Sequence, residues 1–131
     1  MNDAALRQRI RTTLIEQRAL VGQLLGLRDQ LRGSLFVRYA ECGKEGCACR
    51  LGAKHGPYYV FSARTAAQQD FSYVQGRKLS EVRSLVQRYK AFKDGLRRLR
   101  KVNADLVTLL ARYQRAMIKK GGRRVGVGLS V

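Results

Sequence analysis

Tryptophan is absent from the 131 residues, proline and histidine occur once each, and only nine residues are acidic. Each shortage excludes something. The nine Asp and Glu are scattered, and no two have the spacing of an acid/base couple or of a two-metal nuclease, so the chain is not expected to be an enzyme. Three cysteines are an odd number, which argues against a disulfide framework and fits a reducing compartment. No apolar run approaches the roughly 18 residues of a membrane span. Residues 1–11 lack the basic-then-apolar layout of a secretory leader. The expected location is therefore the cytoplasm. Missing Trp also weakens any reading as a helix lying on a membrane.

What the chain has in excess is positive charge. Lys and Arg number 27, for a formal net charge of +18. A compact chain so charged repels itself until an anion neutralises it. The excess is uneven. Residues 1–32 carry a net +3, residues 33–77 another +3, residues 78–120 fully +10, and residues 121–131 the remaining +2. With 45% apolar residues the composition is that of a folded chain.

Residues 4–32 read as one helix. Leu6, Ile10, Thr13, Gln17, Leu20, Leu24, Leu27 and Leu31 alternate in steps of three and four, a heptad seam with two polar interruptions. Gly22 and Gly26 would allow a close helix approach, and Gly33 would stop the helix. Residues 79–118 read as a second, longer helix of roughly 60 Å. Its seam runs Val82, Leu85, Tyr89, Phe92, Leu96, Leu99, Asn103, Leu106, Leu110, Tyr113 and Met117. Ser80 or Gly76 would cap its start, and Gly121-Gly122 would end it. Such a rod cannot bury its stripe alone. The expected partner is the first helix, packed antiparallel as a coiled-coil hairpin. The first helix reaches about three-quarters of the second, so a homodimer is expected, with Asn103 setting its register.

Between the helices, residues 34–39, 58–62 and 71–74 alternate and are rich in strand formers, which predicts a small three-stranded antiparallel sheet. A sheet this small needs a staple. Cys42, Cys47, Cys49 and His55 are all the cysteines and the sole histidine, spaced C-x4-C-x-C-x5-H. Three thiolates and an imidazole are a full tetrahedral set for structural Zn²⁺. Common fingers use C-x2-C pairs, whereas Ala48 alone separates Cys47 from Cys49. Should one sulfur fall short, Glu41, Glu45 or Asp70 would supply an oxygen. The fold class is thus mainly α with a small β insertion, divided as residues 1–32, 33–77, 78–120 and a flexible Gly/Arg tail at 121–131.

The run Gly33-Ser34-Leu35, Arg38-Tyr39, Cys42-Gly43-Lys44, Cys47, Cys49 and His55-Gly56-Pro57-Tyr58-Tyr59 resembles a group of small bacterial and archaeal proteins of unassigned function. The group shares GSL..RY..CGK..C.C......HGPYY, followed by a helix matched here by Val82, Tyr89, Phe92, Leu96, Leu99 and Asn103. The similarity covers roughly residues 25–115. It implies proximity to transposases and other mobile-element genes, and hence an accessory role in handling DNA.

The expected function is non-enzymatic nucleic-acid binding, DNA before RNA. Phosphates would be met by Arg83, Arg88, Lys90, Lys93, Arg97, Arg98, Arg100 and Lys101, with Arg112, Arg115, Lys119, Lys120, Arg123 and Arg124 continuing the basic face. The β tip adds Lys44, Arg50, Lys54 and Arg64, with Tyr58 and Tyr59 beside them for stacking. The alternative is a coiled-coil assembly module that docks on a recombinase, a transposase or another acidic partner.

Overall fold

The computed structural model describes residues 2–128. It consists of α1 (Asp3–Gly26), β1 (Ser34–Ala40), β2 (His55–Arg64), β3 (Gln69–Val74) and α2 (Leu79–Val125), with 3₁₀ turns at Ala48–Arg50 and Gly76–Lys78. Two units form by contact. Among the described residues one comprises 2–27 and 92–128, the other 28–91, and α2 runs through both.

The first unit is helical. Asn2 caps α1: its Oδ1 accepts from the Ala5 N–H at 2.7 Å, and Asp3 sits in the first turn, where the helix dipole favours an anion. Leu6, Thr13, Leu20 and Leu24 are buried on α1, as the seam predicts. Contacts with α2 pair low numbers with high ones, so the two chain directions oppose. Arg7 Nη2 donates to Tyr113 Oη at 2.9 Å, Gln17 Nε2 to Asn103 Oδ1 at 2.7 Å, and Lys120 Nζ to Asp3 Oδ2 at 2.9 Å. Asn103 thus accepts a hydrogen bond from α1 of its own chain.

Three details differ from the sequence reading. First, the buried stripe of α2 holds Val102 and Leu109, one position before the expected Asn103 and Leu110, which are exposed. Leu99, Leu106 and Tyr113 serve either register, and at the first of the two positions the apolar Val102 takes the inner place and the polar Asn103 the outer. Second, the close approach is at Gly95. A Cβ there would lie 2.5 Å from Leu24 Cδ2, whereas one at Gly22 or Gly26 would meet nothing within 4 Å. Third, both helix ends move. α1 stops at Gly26 and not near residue 32, because Arg28 is left-handed (φ 46°) and the Leu31 N–H bonds to the Leu85 carbonyl instead of continuing the helix.

α2 passes through Gly121-Gly122 and ends at Val125. Gly126 (φ 72°) closes it: Val127 N–H donates to Gly122 O at 2.8 Å and Gly126 N–H to Arg123 O at 3.4 Å. That is the paired bonding of a Schellman cap. The expected tail therefore begins with a helical turn, and its last residues, 129–131, lie outside the described part. At the other end the 3₁₀ turn Gly76–Lys78 leads directly into Leu79, inside the region where Gly76 or Ser80 was expected to act.

The second unit holds an antiparallel sheet in the order β1-β2-β3. Val37 pairs with Tyr59 and Tyr59 with Val74; the β1–β2 register is irregular between Arg38 and Ala40, where Ala40 meets His55. Thr65 and Gln68 close the β2–β3 turn, Thr65 N–H donating to Gln68 O at 2.9 Å. Gly33 opens β1 where a Cβ would strike the Ser62 carbonyl and the Phe61 ring, so only glycine fits. Val60, Ser62, Cys49 and Val86 are the buried residues of this unit. Among the described residues, no helix is long and apolar enough to cross a membrane.

Candidate metal centre

The long β1–β2 connection is built around Cys42, Cys47, Cys49 and His55. β1 delivers Cys42 two residues beyond its end. The 3₁₀ turn Ala48–Arg50 carries Cys49, with Cys47 at its N-cap and Arg50 N–H bonding back to Cys47 O at 3.3 Å. His55 opens β2 and is fixed opposite Ala40 by strand pairing. The sheet thus anchors both ends of the loop, and the turn aims the middle.

All four ligand atoms lie within 4.8 Å of one another. Cys42 Sγ is 3.5 Å from Cys49 Sγ, and Cys47 Sγ is 3.3 Å from His55 Nε2. A tetrahedral centre with bonds of about 2.3 Å to sulfur and about 2.0 Å to nitrogen has ligand edges of roughly 3.5–3.8 Å. The observed spacings are near that size, so the group could hold a metal ion, and its donors are consistent with zinc. No carboxylate belongs to the group; Glu41, Glu45 and Asp70 stay out of it.

The electrostatics agree. The Cys49 backbone N–H and then the Cys42 and His55 side chains hold the Cys47 thiol down to about 6. The Cys42 N–H donates to Cys49 Sγ at 3.3 Å and pulls its pKa down, but burial and the neighbouring sulfurs outweigh that and push Cys49 up to about 11. Three sulfurs this close cannot all ionise without a cation among them. Cys49 is 3% exposed, Cys42 and Cys47 half-buried and His55 exposed, so the centre is anchored on its inner side and open on its outer.

A family model described as a domain of unknown function (DUF6788) matches residues 4–84. The chain belongs to that family. The DUF6788 match takes in α1, the whole sheet and the Cys/His loop, and ends within the first turns of α2. It starts earlier and stops sooner than the resemblance over residues 25–115 implied. No curated protein and no solved structure matches the chain.

The remaining sequence-predicted residues fall into separate places. Lys44, Arg50 and Lys54 are exposed on the Cys/His loop, and Arg64 is exposed at the end of β2. Tyr58 is exposed, but Tyr59 is half-buried and points to the opposite sheet face. Arg83 and Lys90 are exposed in the second unit, where Arg88 is half-buried and donates to the Asp29 carbonyl at 3.4 Å. Lys93, Arg97, Arg98, Arg100, Lys101, Arg123 and Arg124 are exposed on α2 in the first unit. Arg123 and Arg124 occupy its last helical turn, where cations suit the dipole.

Proposed function

We propose that the protein is a non-enzymatic nucleic-acid-binding protein, acting on DNA in the first place. A zinc ion held by Cys42, Cys47, Cys49 and His55 staples its β unit, and α1 and α2 pair as an antiparallel coiled-coil hairpin. The observation that carries the reading is uncompensated charge. α2 alone has fourteen Lys and Arg against three Asp and Glu, a net of +11. Among the described residues only Arg97–Asp94 and Lys120–Asp3 form ion pairs, both at exposed positions. Lys93, Arg97 and Lys101 recur every four residues, and Arg112, Arg115 and Lys119 follow at steps of three and four, which sets each trio along one helical face. Exposed cations in rows, without acids to balance them, suit a polyphosphate backbone.

Such contacts position the protein without reading sequence. Replacing Lys93, Arg97 and Lys101 together by Gln removes three of them. Fluorescence anisotropy with a labelled duplex should then show binding at least tenfold weaker, by the same factor on unrelated sequences. Affinity equal to that of the parent protein would contradict the reading.

A second reading as an assembly module has its own support. Leu14, Ile15, Val21 and Leu25 of α1 and Val107 and Leu110 of α2 are exposed apolar residues on helices. They suit a homodimer, or docking on a recombinase or transposase. Sedimentation that finds only monomers, with no complex formed by such an enzyme, would count against it.

A further inference from the structure

Alternation divides the sheet into two unlike faces. One carries the half-buried Leu35, Tyr59, Phe61 and Val74, together with Asp70, the only acidic residue in the three strands. The other presents four exposed rings. Phe36, Tyr58, Phe71 and Tyr73 are 40%, 42%, 63% and 68% exposed, yet Val60, which pairs with Phe36 and Tyr73, is 3% exposed beneath them. The rings are ordered against each other: Phe36 and Phe71 meet edge-on at 6.3 Å, Tyr58 and Tyr73 at 6.1 Å. Arg38, in register with Tyr58, and Arg64, at the end of β2, share this face. It has cations towards both ends, aromatic faces between and no carboxylate.

We propose that this face binds single-stranded nucleic acid by stacking its bases on the rings, with Arg38 and Arg64 meeting phosphates. The inference rests on the nucleic-acid reading above and narrows it to a strand with unpaired bases. Aromatic rings bind bases of any sequence because every base has a π face, and neighbouring cations hold the backbone. Phe71 and Tyr73 lie two residues apart on β3, about 6.7 Å, so each ring can meet a different base. An acidic protein surface would satisfy the two arginines but gives no reason for two edge-on ring pairs set between them.

The test uses the full zinc-loaded chain and three probes: a labelled dT 12-mer, a 12-mer with the same phosphates but abasic throughout, and a duplex. The dT strand should bind at least tenfold more tightly than the abasic one. Phe71→Leu and Tyr73→Leu keep an apolar cover over Val60 while removing the π faces. Together they should erase that preference and leave duplex binding unchanged, with circular dichroism and zinc content as in the parent. Equal affinity for dT and abasic strands, or Leu variants that bind dT like the parent, would overturn the stacking inference while duplex binding upheld the broader reading. No binding to any probe would remove both. A shift from dimer to monomer in the Leu variants would assign the face to a second copy and overturn the inference.

Discussion

At the residue scale the Cys/His group decides most. Its membership is readable in the sequence, because every cysteine and the one histidine fall in a single loop. The division of labour among the sulfurs is not, since it depends on where backbone N–H groups point. In metal-free protein at pH 7, Cys47, held down to about 6, is mostly thiolate, while Cys49, pushed up to about 11, stays protonated and buried. Thiolate is the reactive form. Alkylation by iodoacetamide followed by mass spectrometry should therefore label Cys47 well before Cys49, and one equivalent of zinc should protect both. Equal labelling rates would contradict this geometry. Zinc affinity should fall as pH drops, because protons compete for the same sulfurs and imidazole. Cys49→Ser replaces the buried, most central ligand and should abolish stoichiometric zinc in metal analysis. It should also lower the melting temperature, since a ligand at 100 times its Kd contributes about 2.7 kcal/mol. Tyr58 and Tyr59 show another limit of reading residues singly. Both suggest stacking in the sequence, but strand alternation sends only Tyr58 to the open face.

At the element scale the strands are readable because alternation and β-branched or aromatic residues agree over all three. Helix existence is equally readable, but helix ends are not. Leu27 and Leu31 continue the apolar spacing past the true end of α1, where a left-handed Arg28 and a bond from Leu31 to Leu85 take over. Gly121-Gly122 look like a stop, yet the cap is Gly126. Glycine is informative here by what surrounds it. Gly22 has open space, so Gly22→Ala should recover the roughly 1 kcal/mol of helix propensity and raise the melting temperature by a few degrees. Gly95→Ala gains the same propensity but must displace the buried Leu24, a repacking cost of about 1–3 kcal/mol, so it should be neutral or destabilising. Calorimetry on the two variants checks the sign of each. A Gly95→Ala protein stabilised as much as Gly22→Ala would mean that α1 and α2 do not approach at that point.

At the scale of the whole molecule the family match and the charge excess occupy different stretches. The match ends at residue 84, and thirteen of the fourteen cations of α2 lie beyond it, from Arg88 to Arg124, with Arg83 alone inside. The matched part holds α1, the sheet and the Cys/His loop, and most of the cationic helix lies beyond it. Charge is the plainest signal in the sequence, and among the described residues only Arg97 and Lys120 are in ion pairs. The most direct measurement is the affinity of the zinc-loaded chain for a duplex, titrated with salt from about 50 to 200 mM. Each phosphate contact contributes about 0.9 to the slope of log affinity against log salt, so six or more contacts should cost about a thousandfold in affinity over that range. An affinity that stays flat across the titration, or no binding at the lowest salt, would contradict the account.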